Sequence, residues 1–286
     1  MPHAPLPPLV TRLTRKEFAS FQGLIFKMTG ISLSEAKQDL LVGRLARRVQ
    51  ALGCHSFSAY FDYLSKGKNA AELQAMVNLV TTNETYFFRE PKHFDFLQQQ
   101  AEQHRCEGKR AFRVWSAAAS SGEEAYTVAM VLAETLGKRP WEVLGTDIST
   151  KVLATAQGGH YPMTRTEGIP LPLLKKYCRK GIRQQDGTLL VSKELRQRVQ
   201  FLHCNLLAPT AVTGLFDVIF IRNLLIYFNL ETKKRVIANL LPFLREGGHL
   251  IVGHSESLKG VSQALVQELP SIYRRQTPVP PARAGA

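Results

Sequence analysis

Apolar positions in the first ninety residues recur at helical spacing, and no segment there alternates as a strand would. Thr14-Arg15-Lys16-Glu17 has the form of a capping box, in which the Thr and Glu side chains each satisfy a free amide at a helix start. Phe18, Phe21, Leu24, Ile25 and Met28 then share one face up to Gly30, a stop residue. A second helix is predicted over 35–52, with Leu41, Leu45, Val49 and Leu52 inward, Arg44, Arg47 and Arg48 on the other side, and Gly53 after it. Shorter helices are predicted over 58–64 and 70–80.

From residue 112 the period changes. Short runs rich in Val, Ile, Phe and Trp predict strands over 112–116, 142–146, 199–203, 217–221 and 249–253. Helices are predicted between them over 123–136, 150–156 and 231–244. That alternation argues for a parallel sheet covered on both faces. Asp186-Gly187, set between polar and apolar runs in 179–193, predicts a hairpin inserted into this scheme. The Pro-rich ends, 1–11 and 277–286, are expected to be disordered.

Composition narrows the classes. In 286 residues there is no uninterrupted apolar run long enough for a membrane-spanning helix, and the N-terminus lacks the charged n-region of a secretory signal. The four cysteines are scattered without a CxxC pair, so free thiols in a reducing cytoplasm are expected, with no metal site. A net charge of +14 favours anionic partners. Lys175, Lys176, Arg179, Lys180 and Arg183 form a second basic cluster, but no aromatic RNA-binding signature is interleaved with the charges. Charge alone does not choose the partner.

The chemistry concentrates at 112–124, where a predicted strand enters the small-residue turn Ser116-Ala117-Ala118-Ala119-Ser120-Ser121-Gly122 before Glu123-Glu124 open a helix. Small side chains at that junction let a ligand approach the backbone at the C-terminal edge of an open sheet. The G-x-G-x-x-G pattern is incomplete, and two acids at a helix N-terminus repel a pyrophosphate. A cation suits them better. S-adenosylmethionine (SAM) carries a sulfonium and an ammonium group. Asp147, ending the next predicted strand, suits a ribose diol equally with capping the helix that follows.

Four elements in order extend this reading. They are Trp115–Tyr126, Thr82-Asn83-Glu84-Thr85-Tyr86-Phe87-Phe88-Arg89-Glu90, the segment from Phe216-Asp217 through Arg222-Asn223 to Tyr227-Phe228, and Gly253-His254-Ser255-Glu256. Together they resemble the CheR family of chemoreceptor glutamate methyltransferases over most of 14–275. Ala125 stands where many members have proline, a residue that suits a first helical turn but is not required there.

The resemblance implies an α/β fold, a Rossmann-like SAM-dependent methyltransferase domain (91–276) with a small inserted β-subdomain at about 179–198, preceded by an all-helical N-terminal domain (12–90). It implies SAM as cofactor and S-adenosylhomocysteine as product. Asn83, Thr85, Arg89, Ala118, Glu124, Asp147, Asn205, Leu206, Arg222 and Asn223 are the implied cofactor residues, with Asn205-Leu206 at the adenine and Arg222-Asn223 by the methionine portion. Arg89 and Tyr227 are the catalytic candidates. Arg44, Arg47 and Arg48 are the candidates for docking on an acidic receptor helix. The expected partner is the cytoplasmic domain of methyl-accepting chemotaxis receptors, met by a cytoplasmic, monomeric enzyme recruited to membrane-bound arrays, with no nucleic acid. Two alternatives stay open at this point: a nucleic-acid methyltransferase, for which the N/D-P-P-Y/F turn is absent, and a non-catalytic adaptor that keeps the fold.

Overall fold

The computed structural model describes residues 8–66, 69–107, 110–210 and 212–276. Residues 1–7 of the expected disordered N-terminus and the whole tail 277–286 lie outside them.

The capping box forms. Thr14 N donates to Glu17 Oε2 at 2.8 Å and Glu17 N to Thr14 Oγ1 at 3.2 Å, starting helix α1 (Arg15–Thr29). Gly30 ends α1 in the left-handed region at φ 75°. The predicted 35–52 helix is broken at its start. A 3-10 turn (Glu35–Lys37) precedes α2 (Gln38–Ala51), while α3 (Phe57–Ser65) and α4 (Ala70–Val80) complete the front domain. Their core is aromatic, with Phe21 packed among Phe57, Tyr60 and Phe61 at centroid distances of 5.4–6.2 Å.

Helix α5 (Lys92–Glu107) then leads into the sheet, and the hydrophobic pattern did not announce it. Its sequence is mostly polar, and the buried residues described in it are His93, Phe94, Phe96, Leu97 and Ala101. The sheet has seven strands. In spatial order these are β6 (Val199–His203), β2 (Trp141–Asp147), β1 (Phe112–Ser116), β7 (Phe216–Ile221), β8 (Leu244–Val252), β10 (Ile272–Arg275) and β9 (Leu265–Leu269). The first five are parallel, whereas β10 runs antiparallel to both of its neighbours, β8 and β9, which corrects the expectation of a parallel sheet. Helices α6 (Glu123–Leu136), α7 (Thr150–Gly158) and α10 (Leu230–Leu240) make the connections. The predicted 231–244 helix stops early because a 3-10 turn at Leu241–Phe243 contains Pro242, and Leu244 already begins β8.

The insertion is larger than the predicted hairpin. It is a three-stranded antiparallel sheet of β3 (His160–Pro162), β5 (Thr188–Val191) and β4 (Cys178–Lys180), with α8 (Leu171–Tyr177) between β3 and β4 and α9 (Lys193–Arg196) after β5. Tyr161 anchors it to the cofactor turn by donating to Ser121 O at 2.6 Å. Beside that bond, Arg165 pairs with the fully buried Glu123 at 2.7 Å.

Candidate active site

Strand order reverses at β1, whose neighbours are β2 on one side and β7 on the other. Open α/β sheets bind ligands at such a switch point, beyond the C-terminal strand ends. Here a cavity of about 390 Å³ opens, walled by the turns after β1, β2, β6 and β7 and roofed by Thr29–Ser34 and Leu40 of the helical domain. Asn83, Thr85, Arg89, Ala118, Glu124, Asp147, Asn205, Leu206, Arg222, Asn223 and Tyr227 all lie on its wall. So does Arg44. Arg47 and Arg48 do not.

The acids define the electrostatics. Glu124 accepts from Ser116 Oγ at 2.7 Å and from Arg222 Nη1 at 3.0 Å. Burial nevertheless pushes its pKa up, because desolvation outweighs both partners. Asp147 is raised for the same leading reason, against backbone donors that include Ser120 N and Ser149 N, each at 2.9 Å. The Asp147 carboxylate therefore braces both turns, and each oxygen keeps a second lone pair for a diol hydroxyl. Two under-compensated buried carboxylates in one cavity favour a cationic nucleoside. That is the chemistry of SAM, and the residues fit it.

Arg222 is the hub of the opposite wall. Only 6% exposed, it binds Glu124, reaches Glu90 Oε2 at 3.2 Å and donates to the backbone carbonyl of Arg89. Burial opposes ionisation of Glu90, but Arg222, the Asn223 amide and two nearby imidazoles hold the carboxyl below its ordinary value. Arg89 is not paired with the adjacent Glu90. Its guanidinium donates to Glu84 O at 3.0 Å and stands 5.7 Å from the Tyr86 ring, with no carboxylate partner among the described residues. The Tyr227 hydroxyl has no hydrogen-bond partner among them either, while its backbone carbonyl accepts from Ser32 N at 3.0 Å.

Asn205 does something its position did not suggest. Its amide donates to Met28 O at 2.7 Å, so it ties the helical domain to the sheet beside the cavity. Arg44 donates to the carbonyls of Val80 and Thr81 and to Thr82 Oγ1, holding the chain that enters the Asn83–Glu90 segment. Arg48 grips the buried Glu72, which also accepts from Tyr60 at 2.9 Å. Of the three arginines only Arg47 is exposed, the other two being half-buried.

Two acids escaped the residue-level reading. Glu90 receives Arg222, and Glu256 caps the Asn223 turn by accepting from Asn223 N at 2.8 Å, Ile226 N at 3.2 Å and Gly253 N at 2.7 Å. The backbone there is held against its preference. Phe88, Glu90, Ser120 and Asn223 all have positive φ, between 49° and 57°. Non-glycine residues adopt that region when their surroundings over-determine it, as around functional sites. Gly253 permits the close approach, since a Cβ on it would lie 2.6 Å from Asn223 Nδ2. The motifs Gly253-His254-Ser255-Glu256 and Arg89-Glu90 were the available signal for both acids.

A switch-point cavity carrying two buried acids beside a small-residue turn defines a SAM-binding methyltransferase. Comparison with known proteins narrows the class. Residues 16–81 match the family model described as CheR methyltransferase, all-alpha domain, and residues 83–271 that of CheR methyltransferase, SAM binding domain. The chain belongs to the CheR methyltransferase family. It is 39% identical over 263 residues to chemotaxis protein methyltransferase 2 of Pseudomonas aeruginosa, covering 91% of this chain and 93% of that protein. It is 38% identical over 264 residues to the chemotaxis protein methyltransferase of Escherichia coli, covering 91% of each. The corresponding Salmonella typhimurium protein is 39% identical over 252 residues, covering 87% of this chain and 86% of its own. Family membership favours the enzyme reading over both the nucleic-acid and the adaptor alternatives.

Proposed function

We propose that this enzyme esterifies glutamate side-chain carboxylates on chemotaxis receptors, with Arg89 holding the acceptor carboxylate. The observation that carries the reading is the Arg89 guanidinium, on the cavity wall without a carboxylate partner among the described residues, while neighbouring Arg222 is already paired with Glu90 and Glu124. A planar, permanently charged fork matches a carboxylate in geometry and sign.

SAM supplies an electrophilic methyl carbon on a sulfonium leaving group. The acceptor glutamate, with a reference pKa of about 4.3, is already ionised at neutral pH and needs no strong general base. The protein's work is then alignment and exclusion of water. Glu124 and Asp147 hold the cationic nucleoside, and Arg89 and the Tyr227 hydroxyl orient the incoming oxygen. Leu40, Tyr86 and Ile226, exposed at the cavity, offer an apolar rim to the acceptor segment. In-line alignment of this kind supplies a large part of the rate enhancement.

Arg47 is the exposed cation proposed to meet the acidic face of a receptor helix in the cytoplasm, through charge complementarity. Labelled methyl transferred to receptor and released by base as volatile methanol would identify a carboxyl ester. Label that stays bound under base would rule out ester formation.

A further inference from the structure

Behind Arg222, away from the cavity, three side chains meet that the transfer reaction does not use together. Glu90 Oε2 lies 3.4 Å from His93 Nδ1 and 3.9 Å from His254 Nε2, and ligand atoms of all three residues fall within 4.8 Å of one another. We propose that Glu90, His93 and His254 form a binding site for a divalent transition-metal ion of the zinc type, which the sequence alone did not suggest.

The chemistry of the donors supports this. Two imidazoles and a carboxylate are a borderline-soft set, and a fourth position remains for water. With ligands about 2.0–2.1 Å from the metal, the edges of a tetrahedron are roughly 3.3 Å, close to the existing His93–Glu90 separation. His254 completes the set from a half-exposed turn, its ring edge-on to that of His93 at a centroid distance of 4.9 Å. The second, independent observation is His93 itself. It is 2% exposed, and neither ring nitrogen has a hydrogen-bond partner among the described residues. A buried imidazole without a hydrogen bond is uncommon in a folded protein, and a metal ion at Nδ1 would satisfy that nitrogen.

Arg222 opposes the ion, because its Nη2 lies 3.2 Å from the same Glu90 oxygen. Ion and guanidinium compete for that oxygen. Arg222 keeps its bonds to Glu124 and to the Arg89 carbonyl when that oxygen is taken. The inference does not depend on which acceptor is methylated.

The test uses the full-length protein dialysed against EDTA and titrated with Zn2+ in competition with a chromophoric chelator, alongside His254→Ala. That variant keeps the backbone amide that donates to Glu90. The wild type should bind one equivalent of Zn2+ that raises its Tm. In the variant the affinity should fall by at least about 10–100-fold, since loss of a direct ligand costs no less than loss of its hydrogen-bonding support. Co2+ in the wild-type site should give the intense visible bands of four-coordination, absent from the variant. Equal Zn2+ affinity in the two proteins, or Co2+ bands that survive the substitution, would overturn the proposal.

Discussion

Arg222 and Glu124 meet at 3.0 Å across 98 positions of chain, joining the turn after β7 to the first turn of α6. Both side chains are largely withdrawn from water, and the pair does not neutralise the site, since Glu124 still has a raised pKa. This imbalance makes one wall of the cavity receptive to positive charge. It also makes cofactor affinity depend on proton concentration.

In the role proposed for it, Glu124 must be ionised to attract the sulfonium and ammonium groups. Because its pKa is raised, protonation sets in at a higher pH than for an ordinary glutamate, so the Kd for SAM should rise as pH is lowered from neutrality. Glu124→Gln should bind weakly at every pH and show a flatter profile. Calorimetric titration of both proteins between pH 8 and about 5 measures this, and a parallel profile in the variant would remove Glu124 from the cation site.

Arg89 lies on the wall but supports no other carboxylate, so its removal should spare the fold. Arg89→Ala is expected to keep the wild-type Tm within about 1 °C while losing roughly 100-fold or more in kcat/KM. Arg89→Lys should recover little, because an ammonium cannot reproduce the planar fork. Full activity in the alanine variant would assign the acceptor to another residue.

Glu256 does not itself line the cavity, yet three backbone amides end on its carboxylate, two of them from the lining residues Asn223 and Ile226. Glu256→Ala should lower stability by about 2–4 kcal/mol, read by urea unfolding. Residual folded enzyme should show a reduced kcat at nearly unchanged receptor KM, because the Asn223 turn relaxes while the docking face does not.

His93 gives a stability prediction whose sign follows from burial. Desolvation leads, with Arg222 adding to it, and the imidazole is pushed down to about 4. In the unfolded chain it would titrate near 6.5. Between these values the unfolded state binds one proton more than the native state, so stability falls as pH drops from about 6.5 to about 4. His93→Gln should remove up to about 1.4 kcal/mol per pH unit from that slope. Denaturant midpoints at pH 7, 6 and 5 supply the comparison.

Docking calls for a single-residue test. Arg47→Glu should raise the KM for receptor and leave SAM affinity alone. Arg48→Glu would confound it by placing a second acid against buried Glu72, at a cost of about 3 kcal/mol.

The cavity was legible in the sequence because its parts are local: a strand, a small-residue turn and an acid at a strand end. The residues that hold it in shape were less so. Glu256 and Asn223 are separated by a strand and a helix, and one sequence cannot show that a carboxylate in one turn caps the other. Helix α5 was hidden by glutamines and charges, which diluted its narrow apolar stripe of Phe94, Leu97 and Ala101. Strand β3 has three residues, too few to show a period, and β9 is exposed at all but its first position, so no alternation marks it. Of the arginines in α2, helical spacing gave the face but not the partners, because Glu72, the Val80 and Thr81 carbonyls and the Thr82 hydroxyl come from α4 and the chain beyond it.

The Asn205 bond to Met28 and the Ser32 bond to Tyr227 stitch the roof of the cavity to its floor, and roof and floor belong to different domains. A nucleoside seated between them acts as a fastener. Whatever displaces it lets the two halves of the molecule part more readily, so protease sensitivity of the chain between α4 and α5 should report on how full the cavity is.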